Sequence, residues 1–482
     1  MLYLSSLSLS SSLLSCLLLL ESIPSITCHP THGPVQRELT IPLAHRAPRR
    51  FNAEPEVGAW AAEQGARLRS KYGLAHSDGS TSKRAEGLNL LVNIDRDTSY
   101  FGSVAIGTPP ASYNVILDTG SSDLWLADSK CQIGCDGLST FSSSNSSTLK
   151  NITTPFSVTY GSGAARGHLV QDSVQMAGFS NPKQVFALCN QISKDLLSSP
   201  ISGLMGLAWR SLAASGSTPF WQALVAGGSW TSPLMSFVLT RFLDDPTAQK
   251  LEPGGVFTMG YLNSSLYTGD IEYTNINGDP TYWLIDLTSI KVQGNSVLNK
   301  TVSAAIDTGT TLVGGPPSDI ANIFSQIPGS TRGSDSYQGY WIYPCSTPVN
   351  VTFAFGGGKD WSMSPADFQL QQISNSDCLG AFFEIDPTGS SPPWIIGDTF
   401  LKNVMSVFKY DPPSVGFAQL SSAARELGRN SVPTPTIGTS TVSPSDTTGA
   451  AVALLGGSRS KYWSTLAAVG AVIFVATSHC VL

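Results

Sequence analysis

Charged side chains are scarce in this chain of 482 residues: they make up 13% of it, whereas glycine and proline occur 45 and 30 times. Low charge combined with many turn-forming residues favours a β-rich extracellular protein over a helical cytosolic one. Residues 85–425, the body of the chain, hold 16 basic and 26 acidic side chains. Because phosphate neutralisation requires clustered positive charge, we expect no nucleic-acid binding by the body.

Clusters of metal ligands are missing as well. The eight cysteines have no Cys or His neighbours that would complete a zinc site, so we predict neither a metal nor any other cofactor. The cysteine count instead indicates an oxidising compartment. Cys131 and Cys135 enclose three residues and could close a small surface loop, and Cys345 could pair with Cys378. Cys189 is then left without a partner in the body.

The N-terminal segment lacks a basic start but is otherwise typical of a targeting signal. A run rich in Leu and Ser, followed by small residues, predicts a signal peptide over residues 1–25. The leader that follows is basic, with nine basic and five acidic residues over 29–84, and it ends at the dibasic pair Lys83-Arg84. We predict a propeptide over residues 26–84, with the mature chain beginning near Ala85.

The C-terminal segment lacks a long hydrophobic run. A stretch rich in Ser, Thr and Pro leads to a short apolar tail with no basic segment after it, which is the order of a GPI-attachment signal. We predict a linker with the attachment region over residues 426–463 and a hydrophobic tail over 464–482. A single transmembrane helix is the alternative, although the apolar core, residues 466–476, is short for a span.

We expect a monomer that follows the secretory pathway and is held at the plasma membrane or cell wall by a lipid anchor, or is released outside the cell. Five sequons are potential glycosylation sites on that route: Asn145, Asn151, Asn263, Asn299 and Asn350.

The body contains an internal repeat. The tripeptide Asp-Thr-Gly begins at Asp118 and again at Asp307, and a glycine landmark follows each copy, at Gly206 and Gly397. The two offsets are 88 and 90 residues. A second landmark at a matching offset indicates a duplicated unit, and hence two similar lobes of about 170 residues each.

Short apolar or alternating runs, bounded by Gly, Pro, Asn and Asp, predict a mostly β body. Helical patterns are few. The predicted strands include residues 100–106, 114–117, 156–160 and 283–290, the predicted helices are 218–225 and 318–326, and the predicted lobes are 85–275 and 276–425.

A single Asp-Thr-Gly is a weak motif, because it also occurs as an ordinary turn at the end of a strand. Two copies in equivalent places of two lobes predict that Asp118 and Asp307 face each other across a pseudo-twofold axis. Two carboxyl groups so close cannot both ionise cheaply, so the pair holds one proton over a range of acidic pH. Such a pair can activate a water molecule to attack a peptide carbonyl without a metal or a covalent intermediate.

Five segments carry a resemblance to a known family: Tyr100-Phe-Gly-Ser-Val-Ala-Ile-Gly-Thr-Pro-Pro, Asp118-Thr-Gly-Ser-Ser-Asp-Leu-Trp, Val158-Thr-Tyr-Gly-Ser-Gly, Asp307-Thr-Gly-Thr-Thr and Trp394-Ile-Ile-Gly-Asp-Thr-Phe-Leu. Together they resemble the pepsin-like aspartic proteases, of fungal type, over roughly residues 37–420. The resemblance implies a bilobal, β-rich fold with a central cleft, and an aspartic endopeptidase that acts on proteins or peptides. One proton shared by two aspartates is the established behaviour of that family.

The resemblance also implies roles for individual residues. Asp118 and Asp307 are the expected catalytic pair, Tyr160 is expected over the cleft in a flap hairpin, and Trp125 is expected to support it. The expected substrate-binding residues are Gly120, Tyr160, Gly161, Ser162, Gly309 and Thr310. The expected supports of the site are Thr119, Ser121, Trp125 and Thr308. Ser121 and Thr310 are expected to form hydrogen bonds with the outer carboxylate oxygens. The hydroxyl groups of Thr119 and Thr308 are suited to holding the two loops together.

The leader resembles the inhibitory prosegment of the same family, in which a lysine placed like Lys71 pairs with both carboxylates. A zymogen is therefore expected, and a solvated basic helix is the alternative for this segment. Ser162 stands in the flap in place of an acidic residue, so no special preference for lysine is expected. We expect bulky apolar side chains on either side of the cleaved bond, because aromatic and aliphatic residues usually line such clefts. Cleavage at basic sites, favoured by the acidic charge of the body, is the alternative.

Two further functions compete with an active protease. A catalytically silent binding protein on the same scaffold would be expected to lose an Asp, its Gly or the flap tyrosine, and all of these are present. A structural cell-wall glycoprotein would not concentrate these motifs in its body.

Overall fold

The computed structural model describes residues 85–298, 300–387 and 391–433, and these contain 25 β-strands and five short α-helices. The predicted signal peptide, the propeptide with Lys71, most of the linker and the hydrophobic tail lie outside the described residues, as does the sequon at Asn299. Within the described ranges, no helix is both long and apolar enough to cross a membrane.

The mostly β fold expected from the sequence is confirmed. The strands of the first half are β1 (Gly87–Ile94), β2 (Ser99–Ile106), β3 (Ala111–Asp118), β4 (Leu124–Ala127), β5 (Lys150–Tyr160), β6 (Gly163–Met176), β7 (Phe179–Ile192), β8 (Gly203–Gly206), β9 (Leu234–Leu239), β10 (Leu251–Met259) and β11 (Tyr267–Asn275). Those of the second half are β12 (Leu284–Val292), β13 (Asn295–Ser296), β14 (Val302–Ile306), β15 (Val313–Gly315), β16 (Thr331–Arg332), β17 (Trp341–Pro344), β18 (Val351–Phe355), β19 (Trp361–Met363), β20 (Gln369–Gln372), β21 (Asp377–Gly380), β22 (Phe382–Glu384), β23 (Trp394–Ile396), β24 (Val404–Lys409) and β25 (Ser414–Leu420).

The helices are α1 (Phe220–Ala226), α2 (Pro317–Ser325), α3 (Pro365–Phe368), α4 (Asp398–Leu401) and α5 (Ser422–Arg425). The two helices predicted from the sequence correspond to α1 and α2. Proline occupies the first position of α2, where its missing N–H has no partner to lose and its fixed φ suits a helix.

The strands form three sheets. The largest has 13 strands in the order β11-β25-β24-β9-β10-β1-β2-β3-β8-β4-β7-β6-β5. A second has the order β19-β18-β12-β14-β23-β15-β22, with β13 paired to β12, and a third has the order β16-β17-β21-β20. β24 is antiparallel to β9, so the last strands of the chain return to the sheet of the first half. The predicted lobes therefore share one sheet, and the boundary at residue 276 stays a prediction.

The internal repeat corresponds to the same three-strand arrangement in each half. In the first half, β3 runs parallel to β8, with Asp118 opposite Gly206, and β8 is antiparallel to β4. In the second half, β14 runs parallel to β23, with Ile306 opposite Ile396, and β23 is antiparallel to β15. Each Asp-Thr-Gly thus leaves a central strand at the same point, next to the strand of its glycine landmark.

A cluster of tryptophans packs the halves together. The ring of Trp209 lies 5.0 Å from that of Trp283 and 5.2 Å from that of Trp221. Trp283 is fully buried and donates a hydrogen bond of 3.0 Å to the carbonyl of Leu207, directly after β8. The carbonyl of Trp283 accepts from Ile306 N at 3.2 Å, next to Asp307. Because buried aromatic rings contribute large apolar areas, this cluster fixes the strands that end at the two aspartates.

Candidate active site

The two predicted aspartates lie at the ends of the equivalent strands. Asp118 is the last residue of β3 and is 5% exposed, and Asp307 follows β14. A Cβ on Gly120 would lie 2.5 Å from Asp307 Oδ2, and one on Gly309 would overlap Asp118 Oδ1. Each glycine therefore lies against the aspartate of the other half, and only a residue without a side chain allows the two carboxyl groups to approach each other.

Thr119 and Thr308 form a reciprocal bridge beneath the carboxyl groups. Thr119 N donates to Thr308 Oγ1 at 3.1 Å, and Thr308 N donates to Thr119 Oγ1 at 3.0 Å. Each hydroxyl also donates across the interface, Thr119 to the carbonyl of Ile306 at 2.8 Å and Thr308 to that of Leu117 at 2.6 Å. Both threonines are buried, so every one of these bonds is shielded from water. The bridge ties the two Asp-Thr-Gly loops to each other's strands.

The hydrogen bonds of the two carboxyl groups are closely similar. Gly120 N donates to Asp118 Oδ1 at 2.7 Å, and Gly309 N donates to Asp307 Oδ1 at 2.8 Å. The second oxygens accept from hydroxyl groups, that of Asp118 from Ser121 at 2.5 Å and that of Asp307 from Thr310 at 2.7 Å. Two donors per carboxyl group fix the rotamers of both aspartates.

The surroundings of Asp118 favour its protonated form. Burial raises the pKa of Asp118 well above its usual range, and the nearby Asp307 raises it further, while the hydrogen bonds from Ser121 and Gly120 lower it. Burial removes water that would solvate the anion, and a second carboxyl group adds repulsion. The pair can therefore hold one proton at pH values where an isolated aspartate would have lost it.

The predicted flap is a hairpin made by β5 and β6. Tyr160, at its tip, pairs with Gly163, and Gly161 and Ser162 form its exposed turn. The fully buried Trp125 donates a hydrogen bond of 2.8 Å from Nε1 to Tyr160 Oη. Burial raises the pKa of Tyr160, and the charge of Asp118 raises it further. The hydrogen bond from Trp125 thereby fixes Tyr160 at the tip of the hairpin.

The structure adds Tyr282, which the motifs did not predict. Burial raises its pKa, and the charges of Asp307 and Asp118 raise it further. Tyr282 precedes the buried Trp283, and an aromatic dipeptide directly before a strand has no feature that distinguishes a site residue from a packing residue.

The cysteines pair as the sequence indicated. Disulfides join Cys131 to Cys135 and Cys345 to Cys378, while Cys189 is a buried free thiol whose pKa is raised by burial. Among the described residues, no three His, Cys, Asp or Glu side chains are grouped so as to hold a metal ion.

Known proteins match most of this chain. Residues 99–420 match the family described as eukaryotic aspartyl protease. Major aspartyl peptidase 1 of Cryptococcus neoformans var. grubii is 41% identical over 415 residues, which are 79% of this chain and 85% of the relative. The aspartic protease of Phaffia rhodozyma is 36% identical over 347 residues, 70% of this chain and 80% of the relative. Pepsin A of Sus scrofa is 35% identical over 332 residues, 67% of this chain and 82% of the relative.

Proposed function

Since the chain belongs to the eukaryotic aspartyl protease family and is an aspartic-type endopeptidase, we propose that it cleaves peptide bonds at acidic pH with a water molecule activated between Asp118 and Asp307. The observation that carries the proposal is the close approach of the two carboxyl groups over Gly120 and Gly309. Proteins and peptides are its substrates.

The proposed mechanism assigns different tasks to the two carboxyl groups. Asp118, the more buried group, holds the proton of the pair and donates a hydrogen bond to the carbonyl oxygen of the peptide. The partner carboxylate accepts a proton from the water, whose oxygen then bonds to the carbonyl carbon. As the resulting tetrahedral intermediate collapses, the C–N bond breaks and the leaving nitrogen takes up the proton that the water gave to the carboxylate.

Asparagine variants test this mechanism. We expect Asp307→Asn and Asp118→Asn each to lower kcat at acidic pH by a factor on the order of a thousand or more. Asp307→Asn removes the group that takes the proton from the water and returns it to the leaving nitrogen, and Asp118→Asn removes the acidic proton that is hydrogen-bonded to the carbonyl oxygen. Asp335→Asn is the control for the change of charge, because Asp335 is an exposed aspartate outside both Asp-Thr-Gly motifs. Full peptidase activity in Asp307→Asn would remove that residue from the mechanism.

We further propose that the enzyme is made as a zymogen whose residues 26–84 include Lys71 as an inhibitory partner of the carboxyl pair. Protonation of that pair in acid would weaken the contact and start activation. The backbone of Ala85 supports a mature start near this residue, because its N–H donates to the carbonyl of Ser229 at 2.9 Å. N-terminal sequencing of acid-treated protein should give a start near Ala85, and Lys71→Ala should shorten the lag before activity. An active, unprocessed chain at neutral pH would contradict the zymogen.

The cellular setting is a proposal from the sequence alone: a GPI-anchored, glycosylated monomer at the cell surface. Exposure of Asn145, Asn151 and Asn350 supports glycan attachment. Phospholipase treatment of cells should release the protein, and retention after treatment would favour a transmembrane helix. Peptide-library cleavage should show bulky apolar residues beside the cut, whereas enrichment of Lys and Arg would favour processing at basic sites.

A further inference from the structure

A buried cation, Lys402, is not used by the two-aspartate mechanism. Its side chain is 3% exposed, and Nζ lies 2.9 Å from Asp97 Oδ2 and 2.9 Å from Asp367 Oδ1. Burial alone would lower the pKa of Lys402, but Asp367 and Asp97 outweigh burial and raise it, so the lysine stays charged. A buried ion cluster contributes little net stability, since desolvation offsets the attraction. The main effect of the cluster is therefore on the relative positions of the segments that it joins.

Asp97 belongs to the half of the chain that carries Asp118. It closes the turn between β1 and β2, in which three consecutive residues, Asp95, Arg96 and Asp97, have φ values of 52°, 53° and 68°. Side chains disfavour this left-handed conformation, and it persists only where the surroundings fix it. The carboxylate of Asp97 accepts from Phe242 N at 2.8 Å and from Asn93 Nδ2 at 2.6 Å, besides Lys402.

Asp367 belongs to the other half, in α3. Its Oδ2 accepts from Asn403 Nδ2 at 2.9 Å, and Arg241 Nη1 lies 3.5 Å from the same oxygen. Lys402 and Asn403 directly follow α4, so the end of α4 is fixed to Asp97 on one side and Asp367 on the other.

The start of α4 contacts the loop of Asp307. Asp398 N donates to the carbonyl of Thr310 at 2.8 Å, and both the amide and the hydroxyl of Thr399 donate to the carbonyl of Thr311 at 2.9 Å. Thr310 Oγ1 in turn donates to Asp307 Oδ2 at 2.7 Å. A short run of hydrogen bonds thus leads from Lys402, through one turn of helix, to a catalytic oxygen.

A second bond joins the same two regions. Thr311 Oγ1 donates to the carbonyl of Thr98 at 2.6 Å, one residue after Asp97. The loop of Asp307 is therefore attached to the β1–β2 turn both directly and through Lys402.

We propose that Lys402 is a positioning residue: by joining Asp97 to α4, it fixes the loop of Asp307 relative to the half of the chain that carries Asp118. The inference rests on the proposed two-aspartate mechanism. Because general acid and base groups must be placed within a fraction of an ångström, a shift of this loop slows the chemical step more than it weakens substrate binding.

The test compares Lys402→Met, which removes the cation, with Lys402→Arg, which retains it. The full chain is expressed and acid-treated, thermal unfolding is followed, and active centres are counted with a tight-binding peptide analogue that carries a tetrahedral hydroxyl-bearing carbon. Lys291→Met is the matched control, since Lys291 forms a 2.6 Å ion pair with Asp360 in which both side chains are more than a third exposed.

We expect Lys402→Met to lower kcat per folded molecule by about 10- to 100-fold with KM within about twofold of the wild-type value. Lys402→Arg should recover most of the loss, and Lys291→Met should leave kcat unchanged. A wild-type kcat per active centre in Lys402→Met, accompanied by a lower unfolding temperature, would show that the cluster stabilises the fold without positioning Asp307.

If Lys402→Met fails to fold, Asp97→Asn is tested in its place. The asparagine side chain has the shape of aspartate and keeps one acceptor oxygen, but it carries no charge. A lower kcat at unchanged KM supports the positioning role, and an unchanged kcat overturns it. Asp307→Asn, assayed alongside, separates the two proposals: full activity there refutes the two-aspartate mechanism itself, whereas loss there with a wild-type kcat in both cluster variants refutes only the role of Lys402.

Discussion

Replacing Thr308 with valine tests the bridge between the two Asp-Thr-Gly loops. Valine has nearly the shape of threonine but no hydroxyl. The substitution therefore removes one acceptor, used by Thr119 N at 3.1 Å, and one donor, used by the carbonyl of Leu117 at 2.6 Å. The change leaves both aspartates, both glycines and Thr310 in place.

The expected cost follows from what is left unpaired. A buried N–H without an acceptor costs about 1–3 kcal/mol, and loss of one hydrogen bond to a carbonyl costs about 0.5–1.5 kcal/mol. Thr308 is 3% exposed, so water cannot replace the hydroxyl. We expect Thr308→Val to lower the free energy of unfolding by about 2–4 kcal/mol, a large part of the roughly 5–15 kcal/mol that holds a domain folded.

Thr288→Val is the matched control for this measurement. Thr288 Oγ1 also makes two bonds, as a donor to the carbonyl of Ala354 at 3.0 Å and as an acceptor from Gly357 N at 3.3 Å. Its side chain is only half-buried, so water can replace the hydroxyl and the expected cost is below about 1 kcal/mol. Equilibrium urea denaturation of both variants and the wild type, with kcat at acidic pH, gives the comparison.

Equal midpoints for Thr308→Val and Thr288→Val would refute the reasoning. Such a result would mean that burial of the strands alone holds the two loops, and that the reciprocal hydrogen bonds add nothing to the free energy of unfolding. The bridge has two expected roles, in the stability of the fold and in placing the carboxyl groups. A loss of stability without any fall in kcat would support the first role and rule out the second.

Three further predictions concern titration and cross-linking. Ser121→Ala removes the hydrogen bond that lowers the pKa of Asp118 against the larger effects of burial and Asp307. The alkaline limb of the kcat profile should therefore move to higher pH, and an unmoved limb would contradict a proton held on Asp118. Burial is the main cause that raises the pKa of Asp398 well above its usual range. The folded state therefore keeps this proton at pH values where the unfolded chain has lost it, so stability falls as pH rises above the ordinary carboxyl pKa. Asp398→Asn should therefore lose less unfolding free energy than the wild type between about pH 4 and about pH 7, as urea titrations at both pH values would show, and equal losses would rule out this contribution. Replacing Cys345 and Cys378 together by alanine opens a link that spans 33 residues and should cost about 3–4 kcal/mol in urea denaturation, with no change in kcat.

The carboxyl pair and its immediate donors could be predicted from the sequence because they lie in short repeated motifs. Asp118 and Asp307 each carry their glycine and hydroxyl donor within three residues, and duplication places the two motifs in equivalent positions. The mostly β fold followed for a related reason, since strand periodicity and turn residues are local.

The Lys402 cluster could not be predicted in this way. Lys402 and Asp97 are separated by 305 residues, and neither belongs to a repeated motif. A lysine after a short helix ordinarily indicates a solvated charge, and only the tertiary fold buries it between two carboxylates. The sheet shared by both halves was missed for the same reason: β24 and β9 pair across the predicted lobe boundary, and no local pattern records such a pairing.

Duplication alone would leave the two aspartates chemically equivalent, and catalysis by acid and base requires that they differ. Their hydrogen-bond donors do not supply the difference, because each carboxyl group accepts one backbone N–H and one hydroxyl at nearly equal distances. Burial does supply it: Asp118 is buried at the end of β3, whereas Asp307 is only partly buried and its glycine is exposed. Because the less solvated carboxyl group is the costlier one to ionise, the proposed mechanism places the proton of the pair on Asp118. The repeat thus brings two carboxyl groups together, and in the proposed mechanism the unequal burial of the two loops assigns acid and base.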